Sequence, residues 1–75
     1  MDFDVEFEQE DDGRWIAEIA AIPGVLAYGA TPFQAGARAR ALALRVLADR
    51  MENEAAIPGI NAITFADHYE PMAVN

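Results

Sequence analysis

Thr31-Pro32-Phe33-Gln34 fixes where this chain must begin a helix. The threonine hydroxyl can cap the first free amides, proline suits the first helical position, and a glutamine three residues on completes a capping box. The alanine- and leucine-rich run behind it predicts a helix from about Pro32 to about Met51. Gly36 weakens that run by about 1 kcal/mol relative to alanine, so a close approach to a sheet is expected there. Seventy-five residues allow one domain, residues 1–75.

The residues before the cap read as strands. Phe3, Val5 and Phe7 alternate with Asp4, Glu6 and Glu8, the period of a half-buried strand. Gln9-Glu10-Asp11-Asp12-Gly13 is a turn, with Asp12-Gly13 supplying the positive-φ position of a hairpin. In the second strand Trp15, Ala17 and Ile19 share one face, and Arg14, Ile16 and Glu18 the other. Ala21-Ile22-Pro23-Gly24 breaks it, because proline removes a ladder donor and glycine permits a tight reversal. Val25 to Tyr28 reads as a short third strand ending at Gly29, and Ile63 and Phe65 suggest a fourth. Ala56-Ile57-Pro58-Gly59-Ile60 echoes residues 21–25 as repeated turn chemistry. Residues 67–75 have no clear period and read as a tail or a last extended segment docked elsewhere. The expected fold class is α+β in the order β-β-β-α-β, an antiparallel meander with one helix packed on the sheet.

The helix carries two apolar stripes. Ala35, Ala39, Leu42 and Val46 are spaced to pack on the sheet; Phe33, Ala37, Leu44, Leu47 and Met51 form a second line, interrupted by Arg40. One sheet covers only one stripe. Phe33, Leu44, Leu47 and Met51 are therefore expected to meet either the C-terminal segment or another subunit. A core this small is marginal alone, and with no cysteine it has no disulfide or thiolate metal site to staple it. A homo-oligomer, dimer or tetramer, is expected on that ground.

Charge is concentrated at one end. Residues 2 to 18 hold eight acids and one base, Arg14, giving −7 of the net −8. Such a field repels phosphate backbones and attracts a basic protein, speeding encounter. No direct nucleic-acid binding is expected. Asp2, Asp4, Glu6, Glu8, Glu10, Asp11 and Asp12 are the candidate steering residues; the bland reading is a solvated surface kept soluble by charge. The acidic N-terminus lacks the pattern of a signal peptide, and the apolar stretches are too short to span a bilayer. With no cysteine, a cytoplasmic setting without membrane contact is expected.

These residues carry a resemblance. The stretch Asp12-Gly13-Arg14-Trp15-Ile16-Ala17-Glu18-Ile19, then Ile22-Pro23-Gly24-Val25, then Tyr28-Gly29-Ala30-Thr31 and Gln34-Ala35 resembles the HicB antitoxin family over roughly residues 3 to 66. The motifs are short, and their order and spacing carry the likeness. The resemblance implies a partial ribonuclease-H-like fold without nuclease chemistry. It also implies a dimeric or tetrameric antitoxin-type protein that neutralises a small basic RNA-cleaving toxin of the HicA type. Many members add a DNA-binding domain, for which a chain ending at Asn75 leaves no room, so autoregulation by this chain is not expected. Ala30 stands where the family often has an acid. An orphan oligomeric interaction module without a cognate toxin is the alternative.

Other chemistry is weaker. A metal-dependent nuclease needs carboxylates converging from different elements, whereas these acids lie mostly on one strand's outer face and its turn. No catalysis, cofactor or metal is expected. His68, the single histidine, sits beside Asp67 and Glu70 but has no second imidazole or thiol; an exposed tail residue is the reading. Trp15 and Tyr28 read as core or rim packing rather than nucleobase stackers. Arg38, Arg40, Arg45 and Arg50 form no basic stripe and are expected in surface pairs. Gly13, Pro23, Gly24 and Gly29 are turn residues and Thr31 the cap.

Overall fold

The computed structural model describes residues 1–53 and 61–69; the 56–60 echo and residues 70–75 lie outside them. The elements are β1 (Asp2–Gln9), β2 (Trp15–Glu18), β3 (Leu26–Gly29), α1 (Pro32–Asn53) and β4 (Thr64–Tyr69). They form an α+β fold with one four-stranded mixed sheet in the order β3-β2-β1-β4. The first three strands make the expected antiparallel meander, and β4 joins β1 in parallel. A crossover through α1 is what allows a parallel partner, since no tight turn can connect parallel strands.

Local chemistry accounts for the turns. Gly13 donates its N–H to the Glu10 carbonyl at 2.9 Å and has φ +91°. The three-residue loop thus ends on a left-handed glycine. Between β2 and β3, the Val25 N–H reaches the Ile22 carbonyl at 3.2 Å, with Pro23 and Gly24 central and Gly24 at φ +84°. That is the arrangement of a type II turn. Thr31 Oγ1 accepts the Gln34 N–H at 3.1 Å, as a cap should. Gln34 Oε1 accepts the Ala30 N–H at 2.8 Å, so the box closes one residue earlier than the usual pattern.

The core lies between α1 and one face of the sheet: Phe3, Val5 and Phe7 of β1, Ala17, Ile19, Ile22 and Val25, met by Ala35, Ala39, Ala43 and Leu47. The backbone of α1 lies closest to β3 and β2 and meets β1 through the side chains of that strand. Two expectations are corrected here. The inward ridge is Ala35, Ala39, Ala43 and Leu47, with Leu42 and Val46 only half-buried at its side. Leu47 is 2% exposed and belongs to the core, so it is not a surface interface residue. For Leu42 and Val46 the reason is volume: the ring of Phe7 stands under the first turns of the helix, where the inward positions are glycine and alanine, and the one large inward side chain, Leu47, lies further along. Gly36 shows this as expected, since a Cβ there would lie 2.9 Å from Phe7 Cζ.

Gly29 is a further correction. Its φ is not positive, and its role is proximity, because a Cβ would stand 2.4 Å from the Ala35 backbone nitrogen. Backbone cannot step aside as a side-chain tip can. Gly29→Ala is therefore expected to cost about 1–3 kcal/mol, the range for overpacking. The cost should read as a lower urea midpoint with an unchanged slope.

Candidate interaction surface

Strand alternation assigns the second face of the sheet. Register places Asp2, Asp4, Glu6 and Glu8 of β1 on the side away from α1. Beside them lie Ile16 and Glu18 of β2, Leu26 and Tyr28 of β3, and Thr64, Ala66 and His68 of β4. No described element covers this face. It has an acidic side along β1 and an apolar corner at β2 and β3, where Leu26 and Tyr28 are each 41% exposed.

Asp4, Glu6 and Glu8 thus stand together on the open face, as the alternation predicts. Glu10, Asp11 and Asp12 lie in the loop at its end. Within that loop the Arg14 N–H donates to Asp12 Oδ1 at 3.0 Å, and Arg14 Nε meets Asp12 Oδ2 at 2.8 Å. The backbone N–H of Arg14 draws the Asp12 carboxyl below its ordinary pKa. Desolvation opposes this and the guanidinium reinforces it. Any stability from the contact is present above the ordinary aspartate pKa and fades as pH falls through the depressed one. The Arg14 guanidinium carbon also lies 4.8 Å from the Tyr28 ring centroid, a cation–π contact that anchors the apolar corner.

His68 is not a tail residue. It sits in β4 with Nε2 2.9 Å from Asp4 Oδ1, an ion pair only when the ring is protonated. Residues 67–69 are strand, and Thr64 hydrogen-bonds Asp2 on the same face. Asp67 faces the other way and pairs with Arg40 of α1 at 3.2 Å. Trp15 is half-buried on the helix side, edge-on to Tyr69 at 6.2 Å, whereas Tyr28 is on the open face. Among the described residues, no three histidine, cysteine, aspartate or glutamate side chains group to hold a metal ion. No helix among them is long and apolar enough to cross a membrane.

Glu18, Leu26 and Tyr28 were not among the residues singled out by sequence for partner contact. The signal for Glu18 existed, because alternation already put it with Ile16. For Leu26 and Tyr28 only the sheet register supplies it.

One pairing on this face works against stability. Glu6 and Glu18 are direct partners across β1 and β2, and like charges directly opposite destabilise a sheet. Glu18→Lys is accordingly expected to stabilise the free protein by about 0.2–1 kcal/mol while weakening capture of a basic partner. Urea unfolding and a binding titration on the same variant check the two opposite signs.

Comparison with protein-family models, curated proteins and solved structures finds no match for the chain.

Proposed function

We propose that the chain is an antitoxin-type protein of the HicB kind, with a partial ribonuclease-H-like fold. In this reading it binds a small basic RNA-cleaving toxin and acts by occlusion, not catalysis. The observation that carries the reading is the uncovered sheet face on which Asp2, Asp4, Glu6, Glu8 and Glu18 converge beside Ile16, Leu26 and Tyr28. An RNA-cleaving protein must present a positive surface to phosphate, and a negative face complementary to it blocks that surface. Carboxylates steer the encounter; the apolar corner and the Arg14–Tyr28 contact supply the desolvated anchors that hold a complex.

Further support comes from where the family-like motifs fall. Asp12-Gly13 closes the β1–β2 loop, Ile22-Pro23-Gly24-Val25 forms the next turn, and Gly29 lies under the start of α1. The mixed sheet with one helix on one face is compatible with the finer fold proposed.

Co-expression with a small basic RNA-cleaving toxin of the HicA type tests the proposal. Growth is expected to return and the two chains to co-purify. Persistent toxicity with no complex, across a panel of such toxins, would favour an orphan interaction module.

A further inference from the structure

β4 is the outer strand of the sheet on one side, and what it offers there is backbone. The Thr64 N–H donates to the Met1 carbonyl at 2.9 Å. With the parallel register from Asp2↔Thr64 to Phe7↔Tyr69, this turns the N–H and C=O groups of Thr64, Ala66 and His68 toward β1. Those of Phe65, Asp67 and Tyr69 point the other way, off the sheet. Among the described residues nothing pairs with them. Sheet edges are commonly blunted by proline, lysine, a bulge or an inward charge. β4 has no proline, lysine or bulge. Its inward charge, Asp67, is already answered by Arg40 at 3.2 Å. The opposite edge is short and guarded. The Ile19 N–H bond to the Val25 carbonyl at 3.0 Å makes Leu26 and Tyr28 the outward residues of β3. Arg38 Nη1 crosses that edge and donates to the Tyr28 carbonyl at 2.9 Å.

We propose that the β4 edge takes an extended segment of another protein as a fifth strand, one in which apolar and basic residues alternate. Main-chain hydrogen bonds to Phe65, Asp67 and Tyr69 hold such a strand, and the two faces of the sheet select its side chains. Residues opposite Phe65 and Tyr69 fall on the helix side. There Phe65 stacks on Phe3 and Tyr69 on Phe7, and Tyr69 is still 55% exposed. Aromatic rings beside branched apolar side chains stabilise a strand pair.

Residues opposite Thr64, Ala66 and His68 fall on the open face. Asp4 is the register partner of Ala66, so only a methyl group stands between the added strand and that carboxylate. Two strand spacings, about 10 Å, lie within the combined reach of an aspartate and a lysine or arginine. Charge also argues against a second copy of this chain as the occupant. Its net charge is −8, and its own Asp2, Asp4 and Glu6 would join the same continuous face. A basic strand meets these acids with the opposite sign.

The inference does not depend on whether the protein that meets the open face cleaves RNA. Its test uses the full chain and a capped peptide of alternating valine and lysine, about as long as β4. Amide hydrogen exchange is followed by NMR. In the free chain the Thr64, Ala66 and His68 amides should exchange slowly, and those of Phe65, Asp67 and Tyr69 fast. Saturating peptide is expected to slow the second set about tenfold or more. Two further peptides carry N-methyl groups, one on every valine and the other on every lysine. Only one set of amides can face β4. One of these peptides should therefore bind about tenfold or more weakly, and the other as well as the parent. Equal binding by all three would overturn the inference. So would slow exchange of Phe65, Asp67 and Tyr69 in the free chain, protection that appears at Leu26 and Tyr28 instead, or equal binding of a peptide with the same residues in two blocks.

Discussion

Phe7→Ala is expected to remove about 3–5 kcal/mol of stability, the range for deleting a buried aromatic ring. For a chain of 75 residues the whole unfolding free energy is of order 4–11 kcal/mol, so this one ring carries a large share. Phe7 is buried on the central strand β1, and its ring stacks on Tyr69 with centroids 4.6 Å apart and planes 12° from parallel. Gly36 of α1 rests directly above it. The ring therefore links β1, β4 and the helix, and the helical residue against it, Gly36, has no side chain with which to refill its volume. Urea unfolding followed by Trp15 fluorescence should show a large fall in midpoint. A loss below about 1 kcal/mol, the scale of a surface change, would contradict this view of the core.

The second large effect concerns binding. Asp4→Lys, Glu6→Lys and Glu8→Lys together change the open face by six charges. Electrostatic steering raises association rates by about 10–10³-fold, so the triple variant is expected to associate with the basic partner about 10²–10³-fold more slowly at low salt. Wild-type association should itself slow as salt rises, because these carboxylates are solvent-exposed and screened over about 10 Å at 0.1 M salt. None of the three side chains enters the core, so the fold should survive the change. Stopped-flow mixing at two ionic strengths reads both effects. Equal rates for the wild type and the triple variant would remove the steering role.

Much of this architecture was readable from residue order. The alternation of Phe3, Val5 and Phe7 with acids gave β1 its faces, and Thr31-Pro32-Phe33-Gln34 located the helix start. Two things were not legible, for physical reasons. The rotation of α1 was hidden because alanines lie on every side of it. Only the bulk of Phe3 and Phe7 beneath decides that Ala35, Ala39 and Ala43 turn inward while Leu44 and Met51 stay outside. The reach of β4 to Tyr69 was hidden because Asp67 on its helix-facing side breaks the apolar alternation. Arg40 answers that charge from the helix packed on the same face, a contact 27 residues away. The acidic half of the candidate surface was visible as a run of carboxylates. Its apolar corner was not, since Ile16, Leu26 and Tyr28 come together only through strand register.

Methyl-resolved NMR during titration with the basic partner asks most directly which face does the docking. Shifts are predicted at the Ile16 and Leu26 methyls, with those of Leu44 and Met51 unmoved. The reverse pattern, with the helix stripe perturbed and the open sheet silent, would contradict the account.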